Sequence, residues 1–553
     1  MKEKNKQIDL LLAFGINIIF LLIYLYCFIP IQESNDDLAM SFLAEGAYGQ
    51  RSPYLIFENI LYGKFLVGLY TLVPQIKWFN VMSYVLIFTS FSQMSYAFIR
   101  MQGRKIGLAI STIMLLICGH QMYIMFQFSR VTAIGTIGGM LMLFYALEYA
   151  EEKVEKRICI LAGALLTLWA SMMRFEMFAL CVVLVGGALA IHKLVYLLRE
   201  KPENLKNQIL MYVTVFGTVG VLSLGLYLIN WAAYNTDNQW KAYLEYNQVR
   251  ADLWDTGFPD YEANKSLYES LGISESDFVY YVCWNMDEEV LTIDTLKTLQ
   301  EAKAERGFSL TEFLNMFPRD FIPLSVFTMF LVVSAIAVAL NTKNIYFVVF
   351  EFLGVMAFEA VFFWLGRYGY PRVDCGMWIA ASMVVIYGMS KDLSEMKDLA
   401  GRWSIAAVAV ALVFNMTYLY GFSHVQLGKV GSTKAAYQEI TQDKDHLYIM
   451  LERAPQLYYA YDFWEPCQVG CFTNVYNAFG WEYNVEAKHK ILENYGIENI
   501  YRDCINNEKI YFIGGEYAPM LEKYIRENYN ENIGFYPVKE IMGQYVWSIR
   551  TDE

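Results

Sequence analysis

The chain is 553 residues long, 56% hydrophobic and 16% aromatic, with a formal net charge of -13. A mean hydropathy of +0.29 lies outside the profile of soluble domains and, with repeated apolar segments of membrane length, marks an integral membrane protein. The acidic balance argues against nucleic acid as a partner.

The N-terminus carries Lys2, Lys4 and Lys6, followed by an apolar run from Ile8 to Pro30 without a small-residue cleavage site. It reads as an uncleaved anchor and the first span. Directly after it comes Gln32-Glu33-Ser34-Asn35-Asp36-Asp37, then a short helix-like stretch ended by Gly46. Either aspartate could cap that helix, or the pair could do chemistry at a membrane surface. Residues 54–73 are apolar enough to span, but Glu58, Asn59 and Lys64 interrupt them.

Further spans are expected at 78–99, 106–126, 131–150, 158–174, 177–197, 208–231, 321–340, 344–365, 373–390 and 403–421, about eleven in all. Charge decides the topology. If 54–73 lies along the surface as an amphipathic helix, then Arg100, Arg104, Lys105, Lys153, Lys156, Arg157, Lys193, Arg199, Lys201, Lys206, Lys343, Lys391, Lys397 and Arg402 all become cytoplasmic. If it crosses, many of them fall outside, against the positive-inside tendency. The surface reading places the N-terminus in the cytoplasm. The loops 31–77 and 232–320, the turn near 366–372 and the chain from about 423 onward then lie outside a plasma membrane.

His120, at the outer part of a span, reads as a packing residue. Glu351 and Glu359 lie inside an apolar span on nearly one helical face, where they could hold an arginine or line a pathway. The loop 232–320 is rich in acids and aromatics, among them Trp240, Tyr243, Tyr246, Trp254 and Asp255. Ring faces beside carboxylates are what a carbohydrate-binding surface uses. By this topology Arg130, Arg174, Arg367 and Arg372 collect at the outer face. Either local salt bridges or an anionic partner would account for them, and guanidinium matches phosphate oxygens in pairs.

From about 425 to 553 the pattern changes. Strand-like runs at 446–451 and 509–513 alternate with helical stretches from Val485 to Asn494 and from Pro519 to Asn528. Phe535 to Arg550 reads as a hairpin around Met542-Gly543. Phosphate-loop, dinucleotide, zinc-protease and nucleophile-elbow motifs are missing from this part. Cys467 and Cys471 could form a disulfide if this part is outside. The expected architecture is mainly α: a polytopic membrane helix bundle over 1–424, with a small extracytoplasmic α/β domain over 425–553.

The placement of Asp36-Asp37 after the first span, the surface helix after Pro53, the outer arginines and the C-terminal soluble domain resemble the GT-C superfamily of integral-membrane glycosyltransferases. That group includes protein O-mannosyltransferases and the aminoarabinose transferases of lipid A. Arg51-Ser52-Pro53-Tyr54 stands where the mannosyltransferase-like branch tends to have Lys-Pro-Pro-Leu. The resemblance implies sugar transfer from a polyprenyl-phosphate carrier to a cell-envelope acceptor such as a surface polysaccharide, teichoic acid or glycolipid, with membrane lipids around it. Asp36, by preference over Asp37, would be the general base, and Arg130, Arg174, Arg367 and Arg372 would bind the donor phosphate. Glu45, Glu58, Trp254 and Asp255 are the expected acceptor or sugar contacts. No metal site is evident; a divalent cation, if the reaction needs one, would be anchored by Asp36 and Asp37. The competing readings are a polysaccharide polymerase or ligase, and a transporter or flippase of lipid-linked intermediates.

Overall fold

The computed structural model describes residues 2–304, 307–321, 324–395, 409–411, 413, 430–451 and 462–552. The expected span at 403–421 lies almost entirely outside them. The other ten are present as helices: Lys2–Cys27, Trp78–Gln102, Arg104–Gly119, Phe128–Glu148, Lys153–Met173, Phe175–Cys181 running on into Ala188–Glu200, Leu205–Thr236, Ser325–Leu340, Ile345–Trp364 and Pro371–Gly388. Among the described residues, seven helical runs are long and apolar enough to cross a membrane, so this is a multi-pass membrane protein. Trp78–Gln102 is more polar because Ser83, Ser90, Ser92 and Ser95 are buried inside the bundle. Ser83 and Ser90 donate to carbonyls one turn back, which satisfies their hydroxyls without water.

At the centre stands Phe128–Glu148, nearly all of it buried. It packs closely on Lys153–Met173 because Gly139 and Gly163 face each other. A Cβ on Gly139 would sit 2.2 Å from Thr167 Oγ1 and 2.8 Å from the Gly163 carbonyl. Small residues let two helix backbones approach where lipid supplies no hydrophobic drive of its own.

Segment 54–73 forms a helix only over Ile60–Leu72. Thirteen residues rise about 20 Å, too short for a hydrocarbon core about 30 Å thick. The neighbouring contacts agree. Asn80, at the start of the next span, donates through Nδ2 to the Phe463 carbonyl of the C-terminal domain at 2.6 Å. That domain also meets the loop after the first span, as Tyr48 donates to Glu482 at 2.8 Å. Both ends of 54–73 therefore lie on one face of the bundle. At the opposite face Asp9 and Glu155 gather Lys6, Arg100 and Arg104 into a charge network.

The long loop is helical, with Asn238–Thr256, Lys265–Ser270, Glu275–Val282, Ile293–Glu301 and Leu310–Asp320. Its aromatics turn inward: Trp240, Tyr243, Tyr246, Trp254 and Tyr261 are buried. The rings expected to offer a carbohydrate surface lie inside the loop instead of on its exposed face. A loop of this length, whose one cysteine, Cys283, is free, needs a core of its own, and these rings supply it.

Among its described residues the C-terminal domain carries five strands, β3 (Leu447–Met450), β4 (Val475–Asn477), β5 (Ile510–Ile513), β6 (Ile533–Ile541) and β7 (Gln544–Thr551), after the pair β1 (Ile31–Gln32) and β2 (Met125–Phe126) in the membrane module. Their order is β4-β3-β5-β7-β6. β3 pairs in parallel with β4 and β5, and the β6–β7 hairpin adds an antiparallel edge. Its turn uses Met542 and Gly543, both at positive φ, as a two-residue hairpin turn requires.

Candidate active site

The aspartate loop is held in place by backbone. Ile31 and Gln32 pair in parallel with Met125 and Phe126, and Glu33 N donates to the Phe126 carbonyl at 2.8 Å. The helix Asn35–Glu45 begins after Ser34, which leaves Asp36 and Asp37 in its first turn. Their side chains diverge. Asp37 is fully buried; its Oδ1 accepts from Phe128 N at 2.8 Å and its Oδ2 from the Ser34 hydroxyl at 2.9 Å. Gln127 accepts from Ser129 N and Arg130 N, so Asp37 and Gln127 together satisfy three amides at the start of the Phe128–Glu148 span. Neither aspartate caps the helix that follows it, whose N-cap is Ser34; Asp37 instead accepts at the start of the Phe128–Glu148 span.

Burial pushes the Asp37 carboxyl up to about 8 despite those two hydrogen bonds. Beside it Glu58 is also fully buried, with neither carboxylate oxygen hydrogen-bonded, and burial together with the Asp37 charge raises it well above the usual carboxylate range. The turn that delivers Glu58 is pinned. Ile56 sits at φ 64, a strained setting for a β-branched residue. Ile56 N donates to Tyr234 OH at 2.9 Å, Asn59 N to the Met172 carbonyl at 2.7 Å, and Ile60 N to Asn230 Oδ1 at 2.8 Å. Gly63 allows the approach, since a Cβ there would meet the Pro53 carbonyl oxygen at 2.0 Å.

Asp36 is only partly buried. Its Oδ1 accepts from the indole Nε1 of Trp481 at 2.9 Å. Arg174 and Arg250 both feel its field, and Arg372 acts on Asp37 and Arg174. Arg174 lies at the junction of two spans, donates to Ser129 Oγ at 2.5 Å and stands 5.1 Å over the Phe128 ring. Its ion partner Glu176 is exposed and 3.9 Å away. Arg372 starts the span after the Gly366–Tyr370 turn, with Tyr370 5.1 Å beneath its guanidinium. Arg250 comes from the long loop. It is 5% exposed, donates through Nε to Asn247, lies 5.9 Å over Trp284, and has one buried terminal nitrogen without a hydrogen-bond partner among the described residues.

Most of the other expected residues are paired within the fold. Arg130 is buried, paired with Glu33 at 3.0 Å and bonded to the Met125 carbonyl at 2.8 Å. Glu45 is 1% exposed, paired with Lys77 at 2.8 Å, and accepts from Tyr70 and from the Cys467 amide. Trp254 is buried, its indole donating to the Tyr281 carbonyl at 2.9 Å. Asp255 pairs with Arg367 at 3.2 Å near the rim. Glu359 lies against Asp374 inside the bundle, and Glu351 is buried nearby along the same helix. Cys467 and Cys471 are free thiols beside one another.

Arg250 and Trp481 were missed in the sequence. Each lies more than two hundred residues from Asp36 with no local motif. Among the described residues, no group of three or more His, Cys, Asp or Glu is arranged to hold a metal ion. Asp36 and Asp37 point to different partners, so they do not form one chelating pair.

No family model and no curated protein matches the chain. Two solved structures align along nearly its whole length. One is ArnT from Cupriavidus metallidurans in the apo state, at 12% identity and a TM-score of 0.40, covering 96% of this chain and 97% of that one. The other is the same protein bound to undecaprenyl phosphate, at 12% identity and a TM-score of 0.39, covering 97% of each. At these values the functional reading rests on the residues of this chain.

Proposed function

We propose that the protein is a membrane glycosyltransferase that moves a sugar from a polyprenyl-phosphate carrier to a hydroxyl of a cell-envelope acceptor, with Asp36 as general base. One observation carries the reading: a partly exposed carboxylate with one oxygen open, within the field of Arg174 and Arg250, with Arg372 acting on Arg174 and Asp37 beside it. Asp36 Oδ2 takes the acceptor hydroxyl proton while that oxygen attacks the anomeric carbon. The bond from that carbon to the phosphate oxygen breaks, and the lipid phosphate leaves with the electron pair. Arg174 and Arg372, anchored at span ends, offset the charge that grows on it.

Asp37 and Glu58 do not share the base's work. Asp37 has both oxygens committed and its carboxyl is pushed up to about 8, while burial raises Glu58 well above the usual carboxylate range. They shape the floor under Asp36 without adding negative charge that would repel a phosphate. Envelope glycans compared by mass spectrometry in cells with the protein, without it, and with Asp36→Asn test the function. Loss of one decoration in the last two supports it, and unchanged glycans in both refute it.

A further inference from the structure

We propose that the C-terminal domain supplies a positioning residue to the site: Trp481, whose indole N–H holds the Asp36 carboxylate with Oδ2 turned toward the acceptor. This rests on Asp36 being the base. Trp481 is 6% exposed, and its Nε1 donates to Asp36 Oδ1 at 2.9 Å. Three separate parts of the chain fix the indole. Its ring meets Phe57 edge-on at 5.4 Å, from the same turn that carries Glu58. Its carbonyl accepts from Tyr243 OH at 2.9 Å, from the long loop. The next residue, Glu482, accepts from Tyr48 OH at 2.8 Å, just beyond the aspartate helix, and from Asn477 Nδ2 at 2.7 Å on β4. An indole has one donor and no acceptor, so it bonds an aspartate oxygen without competing for the proton that Asp36 removes.

The consequence is a division of the carboxylate. Oδ1 is occupied by the indole, and Oδ2 is left to take the proton. A donated hydrogen bond favours the ionised form of its acceptor. The other charged groups that face Asp36 are Asp37 on its own helix, Arg174 between two spans, and Arg250 with Tyr243 on the long loop. All of them remain when the indole N–H is removed.

The experiment uses full-length protein in detergent, undecaprenyl phosphate charged with a panel of hexoses, and an envelope extract as acceptor; released undecaprenyl phosphate is measured against pH. Trp481→Phe keeps an aromatic ring and removes the donor. Its kcat is expected to fall roughly tenfold, as for a lost hydrogen bond to a charged group, and KM for the donor to stay within about twofold. The acidic limb of its pH profile should move up by about half a unit to one unit. Where the phenylalanine variant does not fold, benzothienylalanine at 481 keeps the ring shape with sulfur in place of N–H and gives the same readout. A wild-type kcat and pH profile from a folded variant overturns the proposal. If that result accompanies an inactive Asp36→Asn, Asp36 remains the base and only Trp481 falls; if Asp36→Asn is active, the base assignment itself falls.

Discussion

Asp37 ties proton binding to stability. Its carboxyl lies near 3.8 when unfolded and about 8 when buried beside Glu58, so the folded chain holds the extra proton between those values. This contribution is complete below about pH 4 and is lost as the pH rises through 8. Asp37→Asn keeps an oxygen for the Phe128 amide and cannot ionise. The thermal midpoint of the wild type should fall between pH 5 and 8, and the variant should fall less; equal slopes would remove Asp37 from that role. Two arginines separate just as cleanly. Arg174→Gln should weaken binding of undecaprenyl phosphate by roughly tenfold or more through loss of a charge-assisted contact. Arg130→Gln should instead lower the thermal midpoint, because it leaves Glu33 without its partner. Arg130 and Glu45 show what residue type and position cannot reveal. A charge at a span end looks the same in sequence whether it awaits a ligand or is already paired, and Lys77 and Glu33 are set against these two only by the tertiary fold.

Helices were the most legible level, because a membrane span must satisfy its own backbone within one continuous apolar run. The short helix Ile60–Leu72 was legible from charge, because Glu58, Asn59 and Lys64 break the apolar run. The strand at 475–477 was not, since three residues carry no period. The long loop's burial was not either; its aromatics look alike whether they face sugar or one another. At this scale the decisive contact is Gly139 against Gly163 and Thr167. Gly139→Val should push apart the two spans that end in Ser129 and Arg174. A drop of several degrees in thermal midpoint together with weaker donor binding is expected, measured by scanning fluorimetry and by titration with undecaprenyl phosphate.

The whole molecule builds the surroundings of Asp36 from distant parts: the loop after the first span, the span junction at Arg174, the long loop, and the C-terminal domain. Asp287 joins the last two, accepting from Tyr524 at 2.7 Å and Tyr529 at 2.5 Å while 1% exposed. Asp287→Ala removes the acceptor of the buried Tyr524 hydroxyl and of the half-buried Tyr529 hydroxyl. Limited proteolysis should then cut the 237–320 region faster than in the wild type, and unchanged protection would argue that other contacts hold the parts together. The sequence showed the membrane module and the α/β domain as neighbours in order. That the domain reaches Asp36 through Trp481 could not be read there, since chain separation says nothing of contact. The most direct test of the account is turnover of sugar-charged undecaprenyl phosphate by purified, folded Asp36→Asn. Loss of the general base predicts a fall of roughly a hundredfold or more with donor binding intact, and turnover within a few-fold of the wild type would contradict it.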